Sequence, residues 1–346
     1  MKVVAITGDH KAEVKEVTKP KPLRNQVLIK MRACMLCTFE QRMFTGEKHI
    51  PLPFVGGHEL AGEIVELGEG VDPKKYPIGT LVSARLIKAC GECYNCRHGR
   101  DELCEHVNDV DMSQMDIPGT AGLSEYLNVD TNQIYKFNEG TPDTVVSFAE
   151  PLACVLNSIE KGHIELGDDV VVIGGGIMGM MHVMAAKLSG ARVILSEPDE
   201  TRAELGKKLG ADIVVNPMKE DLKTKVMEVT DGVGAEAVFN TTPISSIASQ
   251  ALTLACDQGR VIMYSSQHPD KPIEVSPGWL HSHNVIITGA VNPSVRSFTR
   301  ACELLNKHLI DVTPLLSGTY PMDQCQEAFE AAIRKDTYRI AITFNK

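Results

Sequence analysis

The stretch Asp169–Arg202 reads "DVVVIGGGIMGMMHVMAAKLSGARVILSEPDETR". It opens with an apolar run, Val170–Ile173, followed at once by Gly174, Gly176 and Gly179 in G-x-G-x-x-G spacing. An apolar helical segment runs from Ile177 to Leu188, Gly190 stops it, and a second apolar run, Arg192–Ser196, ends at Glu197. Strand, glycines, helix, strand and acid in this order predict a dinucleotide-binding unit. Gly174 permits the tight turn, Gly176 lets the backbone approach a pyrophosphate, and Gly179 allows close packing of helix on strand. The phosphates then meet the free N–H groups where Ile177 and Met178 open the helix. Glu197 is placed to accept hydrogen bonds from ribose hydroxyls and to repel a 2′-phosphate, which favours NAD over NADP. Arg202 pulls the other way, since a nearby arginine can accommodate that phosphate.

The alternation continues downstream. Ile213–Val215, Ala237–Asn240, Arg260–Ser265 and Val285–Gly289 read as further strands, with helical stretches between most of them. The expectation is a six-stranded, doubly wound parallel sheet of the Rossmann type within an α/β chain.

A chain of 346 residues is long enough for two domains. Its net charge of −10 argues against a nucleic-acid partner, and no basic stripe offsets it. No apolar run approaches the roughly 18 residues a membrane helix needs. The start, "MKVVAITG", reads as a strand and not as an export signal, so a cytoplasmic location is expected. Ten cysteines in such a chain are expected as reduced thiols or metal ligands.

Four of them fall in "CGECYNCRHGRDELC": Cys90, Cys93, Cys96 and Cys104. Four thiolates close the tetrahedral shell of Zn²⁺, which makes a structural site. Iron–sulfur clusters also take four cysteines, but the short polar loop favours zinc. A further C-x-x-C, Cys34 and Cys37 in "ACMLCTFEQ", reads as half a zinc knuckle, a redox dithiol, or one metal ligand beside a bystander.

The N-terminal half also carries "GGHELAGEIVELGEGV" from Gly56 and "FAEPLACVL" around Glu150. With these motifs, the cysteine lobe and the glycine fingerprint in this order, the chain resembles the zinc-dependent medium-chain alcohol dehydrogenases over essentially its whole length. The pattern is most similar to their polyol, sorbitol-like branch. The resemblance implies a mostly β, GroES-like catalytic domain over 1–150, completed by 291–346, and a Rossmann NAD-binding domain over 151–290. It implies a catalytic zinc held by Cys37, His58 and Glu150, with Glu59 beside it as ligand or water-bridged neighbour. Cys154 is a weaker candidate ligand. The implied reaction is reversible hydride transfer between NAD and a secondary alcohol, a polyol or sugar alcohol foremost. Threonine-type amino alcohols and phosphorylated polyols are alternatives, the latter because Arg42, Arg85 or Arg296 could bind phosphate. A homodimer or homotetramer is expected, joined at the Val285–Ala290 edge. A fold that kept NAD and zinc but lost turnover is the rival of another class; a metal-independent quinone reductase would lack the cysteine lobe and the G-H-E motif.

One position departs from the family. Its members place a hydroxyl two residues after the catalytic cysteine and often a histidine five residues after it; here Phe39 and Arg42 stand there. Glu40, three residues after Cys37, matches the acid that orients the zinc-binding histidine, which keeps the register. Thr38, Glu59 or a water chain is therefore expected to carry the proton.

Overall fold

The computed structural model describes residues 1–107, 115–267 and 269–344. The chain divides into two compact units, Met1–Ala153 with Pro293–Lys346, and Cys154–Asn292.

In the second unit the strands run in the order Ile213–Val215, Arg192–Ser196, Asp169–Ile173, Ala235–Asn240, Ala255–Met263, Ile286–Gly289. All five pairings are parallel. This is the doubly wound order, which reverses direction beside Asp169–Ile173 and opens a crevice at the strand carboxyl ends. Val171, Ile194, Val238 and Val261 are fully buried, as strands covered on both faces require. Three strands differ from the sequence expectation, one of them only by starting at Ile286 and not at Val285. Ala235–Asn240 starts earlier than Ala237, and Ala255–Met263 starts earlier than Arg260 and ends before Tyr264. The polar "CDQG" does not read as strand, yet a register shift and a left-handed Gln258 (φ 63°) let Ala255 pair with Ala235 around it.

In the first unit one long strand, Gln26–Met35, organises a seven-stranded sheet. It pairs antiparallel with Glu59–Leu67 along most of its length, with Tyr126–Asp130 at its start, and with Arg339–Thr343 at its end. Met35 stands opposite both Glu59 and Ala341, and the Leu36 N–H donates to the Ile340 carbonyl. Three strand ends are thereby brought side by side: the exit toward Cys37, the entry at Glu59 and the entry at Arg339. The core beneath includes Phe44 and Phe329, whose rings stack at 4.9 Å. Among the described residues no helix is long and apolar enough to cross a membrane.

The second unit buries a histidine. The helix Ile177–Leu188 turns His182 inward, where its Nδ1 meets the Met178 carbonyl at 2.8 Å and its Nε2 meets the Ser158 hydroxyl at 3.0 Å. Burial pushes this imidazole down to about 4. The unfolded chain takes up that proton near pH 6.5, whereas the folded chain resists it until about pH 4. Between those values the unfolded state binds more protons, so stability falls as pH drops through the window and levels off below it. Denaturant midpoints from pH 7 to pH 4 are expected to decline in the wild type. The decline is expected to be shallower in His182→Gln.

Candidate metal and nucleotide sites

Cys37 caps the helix Thr38–Phe44, and Glu40, one turn in, is completely buried. One Glu40 oxygen accepts from the Cys37 backbone N–H at 3.1 Å. The other accepts from the Gly57 N–H at 2.9 Å and meets His58 Nδ1 at 3.1 Å. This leaves Nε2 as the His58 nitrogen open to a metal. Gly57 must be glycine: it has φ 95°, and a Cβ would stand 2.6 Å from the Leu123 nitrogen and 2.8 Å from Cys34 Sγ. Cys34 is thus a packed neighbour of the G-G-H turn, fully buried, which favours the bystander reading of its C-x-x-C.

The donor atoms of Cys37, His58 and Glu59 lie within 4.8 Å of one another. Arg339, which the sequence reading missed, closes the group from the third strand. Its Nε and Nη2 donate to the two Glu59 oxygens at 2.9 and 2.6 Å, and Nη2 stands 3.6 Å from Cys37 Sγ. Both side chains of this bidentate pair are buried. Nothing in "TYRIAITF" marks Arg339 apart from a cation in an otherwise apolar strand.

The electrostatics ask for a cation. Burial pushes the Cys37 thiol up and Glu59 adds to this, while Arg339 and His58 pull it down. Burial disfavours a charged His58, yet Glu40 and Cys37 raise it well above the usual histidine range. Burial also opposes a charged Glu40, but His58 and the Gly57 N–H hold its carboxyl below the usual range. A thiolate, a neutral imidazole and a carboxylate form a zinc-type donor set, and a divalent ion held there would balance their negative charge. The residues fit zinc.

The other predicted residues divide. Thr38 follows Cys37 with its side chain exposed. Glu150, in the first turn of Ala149–Gly162, lies outside the group of three close donors, although its charge helps to hold Arg339 protonated. Cys154 is outside that group too. Phe39 stands edge-on to the His58 ring, centroids 6.0 Å apart. Of the arginines, Arg42 pairs with Glu47 at 3.5 Å. Arg85 is buried between the Pro293 carbonyl and Asp101. Arg296 is exposed on the helix Val295–Asn306.

Cys90, Cys93, Cys96 and Cys104 also converge within 4.8 Å, with the Cys90 and Cys96 sulfurs 4.0 Å apart. Thiolates around one zinc at about 2.3 Å stand roughly 3.8 Å apart, so this set fits as well. Backbone N–H groups already point at the sulfurs: Cys93 to Cys90 and Cys90 to Cys104, both 3.3 Å. The Cys96 N–H holds the Cys93 thiol down to about 6, whereas burial pushes Cys96 up to about 12. Asp101 ties the lobe down through Arg85 and the Val295 N–H at 3.1 Å.

In the second unit the three fingerprint glycines meet three different environments. Gly174 has φ 100°. A Cβ on Gly176 would meet nothing within 4 Å, whereas one on Gly179 would stand 1.8 Å from the Gly174 carbonyl oxygen. That is a left-handed turn, an open approach and a tight helix–strand contact, the environments a pyrophosphate loop needs. The buried Glu197 accepts from the Gly175 N–H at 2.6 Å and the Asp199 N–H at 2.8 Å. Arg202 lies beyond, on the helix Glu200–Lys208. Thr241, not anticipated, clamps the loop: its hydroxyl donates to the Ile173 carbonyl at 2.8 Å and lies 3.2 Å from that of Gly174.

A GroES-like unit with a Cys–His–Glu donor set and a four-cysteine lobe, together with a Rossmann unit, defines a zinc-binding, nucleotide-dependent oxidoreductase. Comparison with known proteins agrees. Residues 23–139 match the alcohol dehydrogenase GroES-like domain, and residues 178–307 match the zinc-binding dehydrogenase domain. The chain is 31% identical to an L-threonine 3-dehydrogenase of Pyrococcus horikoshii, over 92% of this chain and 91% of that one. It is 28% identical to a D-arabitol-phosphate dehydrogenase of Enterococcus avium (95% and 93%) and 27% identical to a sorbitol dehydrogenase of Halalkalibacterium halodurans (95% of each). The crystal structure of 2R,3R-butanediol dehydrogenase from Bacillus subtilis superposes with a TM-score of 0.86 at 25% identity, covering 99% of both chains. The chain belongs to the zinc-dependent medium-chain dehydrogenases of the alcohol dehydrogenase family, and its pattern is sorbitol dehydrogenase-like.

Removing the cationic half of a buried pair strands the carboxylate. Arg339→Met is therefore expected to cost about 3–5 kcal/mol of stability, read from urea midpoints. Its zinc content, measured by mass spectrometry, is expected to fall at the same time. A variant as stable and as zinc-rich as the wild type would show that Arg339 does not hold Glu59.

Proposed function

We propose that the protein oxidises a polyol or sugar alcohol reversibly at a secondary carbinol, with NAD as hydride acceptor. The observation that carries this reading is the Cys37–His58–Glu59 donor cluster. Glu150, with its charge felt at Arg339, is assigned as the further ligand. A zinc held by Cys37, His58, Glu59 and Glu150 would supply Lewis acidity toward a substrate hydroxyl, and a nicotinamide cofactor held at the Gly174–Gly179 loop would supply the hydride acceptor. Cys90, Cys93, Cys96 and Cys104 hold a second, structural zinc.

The chain's own residues do the rest. Glu40 fixes the His58 ring so that Nε2 stays aimed at the metal. Arg339 holds Glu59 in place, with both oxygens engaged; a carboxylate pinned in this way is a poor proton carrier. Thr38 is the better candidate, since its exposed hydroxyl makes no hydrogen bond among the described residues. Phe39 takes no part in proton transfer and walls the site.

The preference for NAD rests on Glu197, whose buried carboxylate at the end of its strand leaves little tolerance for a 2′-phosphate. Gly174, Gly176, Gly179, Ile177 and Met178 are assigned to the pyrophosphate. A threonine-type amino alcohol is the second reading, favoured by the identity to the Pyrococcus enzyme. A cytoplasmic location belongs to the same proposal, supported by ten free cysteines. So does a homodimer or homotetramer, for which the terminal strand Ile286–Gly289 offers an edge left unpaired among the described residues, with Ile286 exposed.

The zinc-loaded protein is expected to contain two zinc ions per chain and to form NADH with a polyol. Its kcat/KM for NAD is expected to exceed that for NADP at least tenfold, and Glu197→Ser is expected to erode that ratio. Full activity after exhaustive chelation, with zinc absent by mass spectrometry, would overturn the scheme. Separately, Thr38→Val is expected to lower kcat and displace its pH profile, while Glu59→Gln is expected to lower zinc content and stability. An unaltered profile in Thr38→Val would remove the hydroxyl from the proton path.

A further inference from the structure

The residue that breaks the family pattern carries a cation. Lys48 Nζ sits 4.2 Å from the centroid of the Phe39 ring, and that ring lies 6.0 Å from the ring of His58. The two separations together put the ammonium no more than about 10 Å from the metal-binding imidazole. Its backbone is pinned, since the Lys48 N–H donates to the Arg42 carbonyl at 2.9 Å. The neighbouring acid, Glu47, is taken by Arg42, and among the described residues Lys48 has no carboxylate partner. An exposed lysine over phenylalanine is weakly held, and its three N–H donors meet no acceptor among the described residues. A positive charge thus stands within about 10 Å of the His58 ring, in a chain whose net charge of −10 otherwise disfavours anions.

We infer that Lys48 and Phe39 form a specificity subsite for an oxyanion on the substrate, a carboxylate or phosphate remote from the reacting carbinol. The Phe39 face biases the ammonium toward this position only weakly, and the anion completes its shell and fixes it. The substrate class narrows to sugar acids or phosphorylated polyols. This rests on the reading of the site as an alcohol-oxidising centre, and it deepens that reading.

The test uses the full-length, zinc-loaded protein with NAD and three probes of one stereochemistry: sorbitol, gluconate and sorbitol 6-phosphate. At least one anionic probe is expected to exceed sorbitol tenfold or more in kcat/KM, and the two anionic arms distinguish carboxylate from phosphate. Lys48→Met is expected to raise KM for that probe 10- to 100-fold with kcat changed less than threefold, and Lys48→Arg to restore most of the loss. Calorimetric binding of the same probe is expected to weaken at least tenfold in Lys48→Met. Sorbitol turned over as well as both anions would overturn the subsite while leaving alcohol oxidation intact. So would a Lys48→Met loss equal for neutral and anionic probes. Lys48-dependent anion binding without turnover of any alcohol would instead uphold the subsite and overturn the reaction. Neither turnover nor anion binding would overturn both.

Discussion

Glu40 is the constraint on which the catalytic unit turns. A buried carboxylate needs every lone pair answered, and this one is answered by the Cys37 N–H, the Gly57 N–H and the His58 ring. Those three groups lie on two segments about twenty residues apart in the chain. Satisfying one acid therefore sets the distance between a thiol and an imidazole. The surrounding turn is built to the same end, with a left-handed Gly57 and a completely buried Cys34 leaving no slack behind His58.

Around that pair the sheet supplies the rest. The register that places Met35 opposite Glu59 and Ala341 brings Arg339 within reach of Glu59 and Cys37. A buried ion pair does little for stability by itself, since both charges lose their hydration. Here it fixes the Glu59 carboxylate beside the Cys37 and His58 donors, which is a functional reason to keep one. The four-cysteine lobe is handled differently. Its sulfurs are met by backbone N–H groups from its own loop, and Asp101 ties it to the rest of the unit through Arg85 and Val295.

Much of this was legible in the linear sequence. Strand, glycine and helix patterns are local, with each residue's role set by neighbours a few positions away, and so the Rossmann unit could be read with only strand ends misplaced. Ala255–Asp257 joined a strand early because pairing with Ala235 outweighed its polar composition. The thiol cluster is equally local. His58 and Cys37 were legible through a family resemblance, and Glu40 through its spacing from Cys37.

The sequence alone determined the two-unit class, the metal-type donor residues and the nucleotide fingerprint, because these depend on short spacings and on the chemistry of residue types. Only the tertiary structure decided what surrounds the donors. Arg339 reaches Glu59 across some 280 positions of chain, Thr241 clamps a loop more than sixty residues earlier, and Lys48 settles on the face of Phe39. Sheet register and side-chain packing create such contacts, and neither leaves a period or a motif in the chain. Phe39, a defect in the family pattern when read as a letter, acquired a neighbour only when the fold was formed.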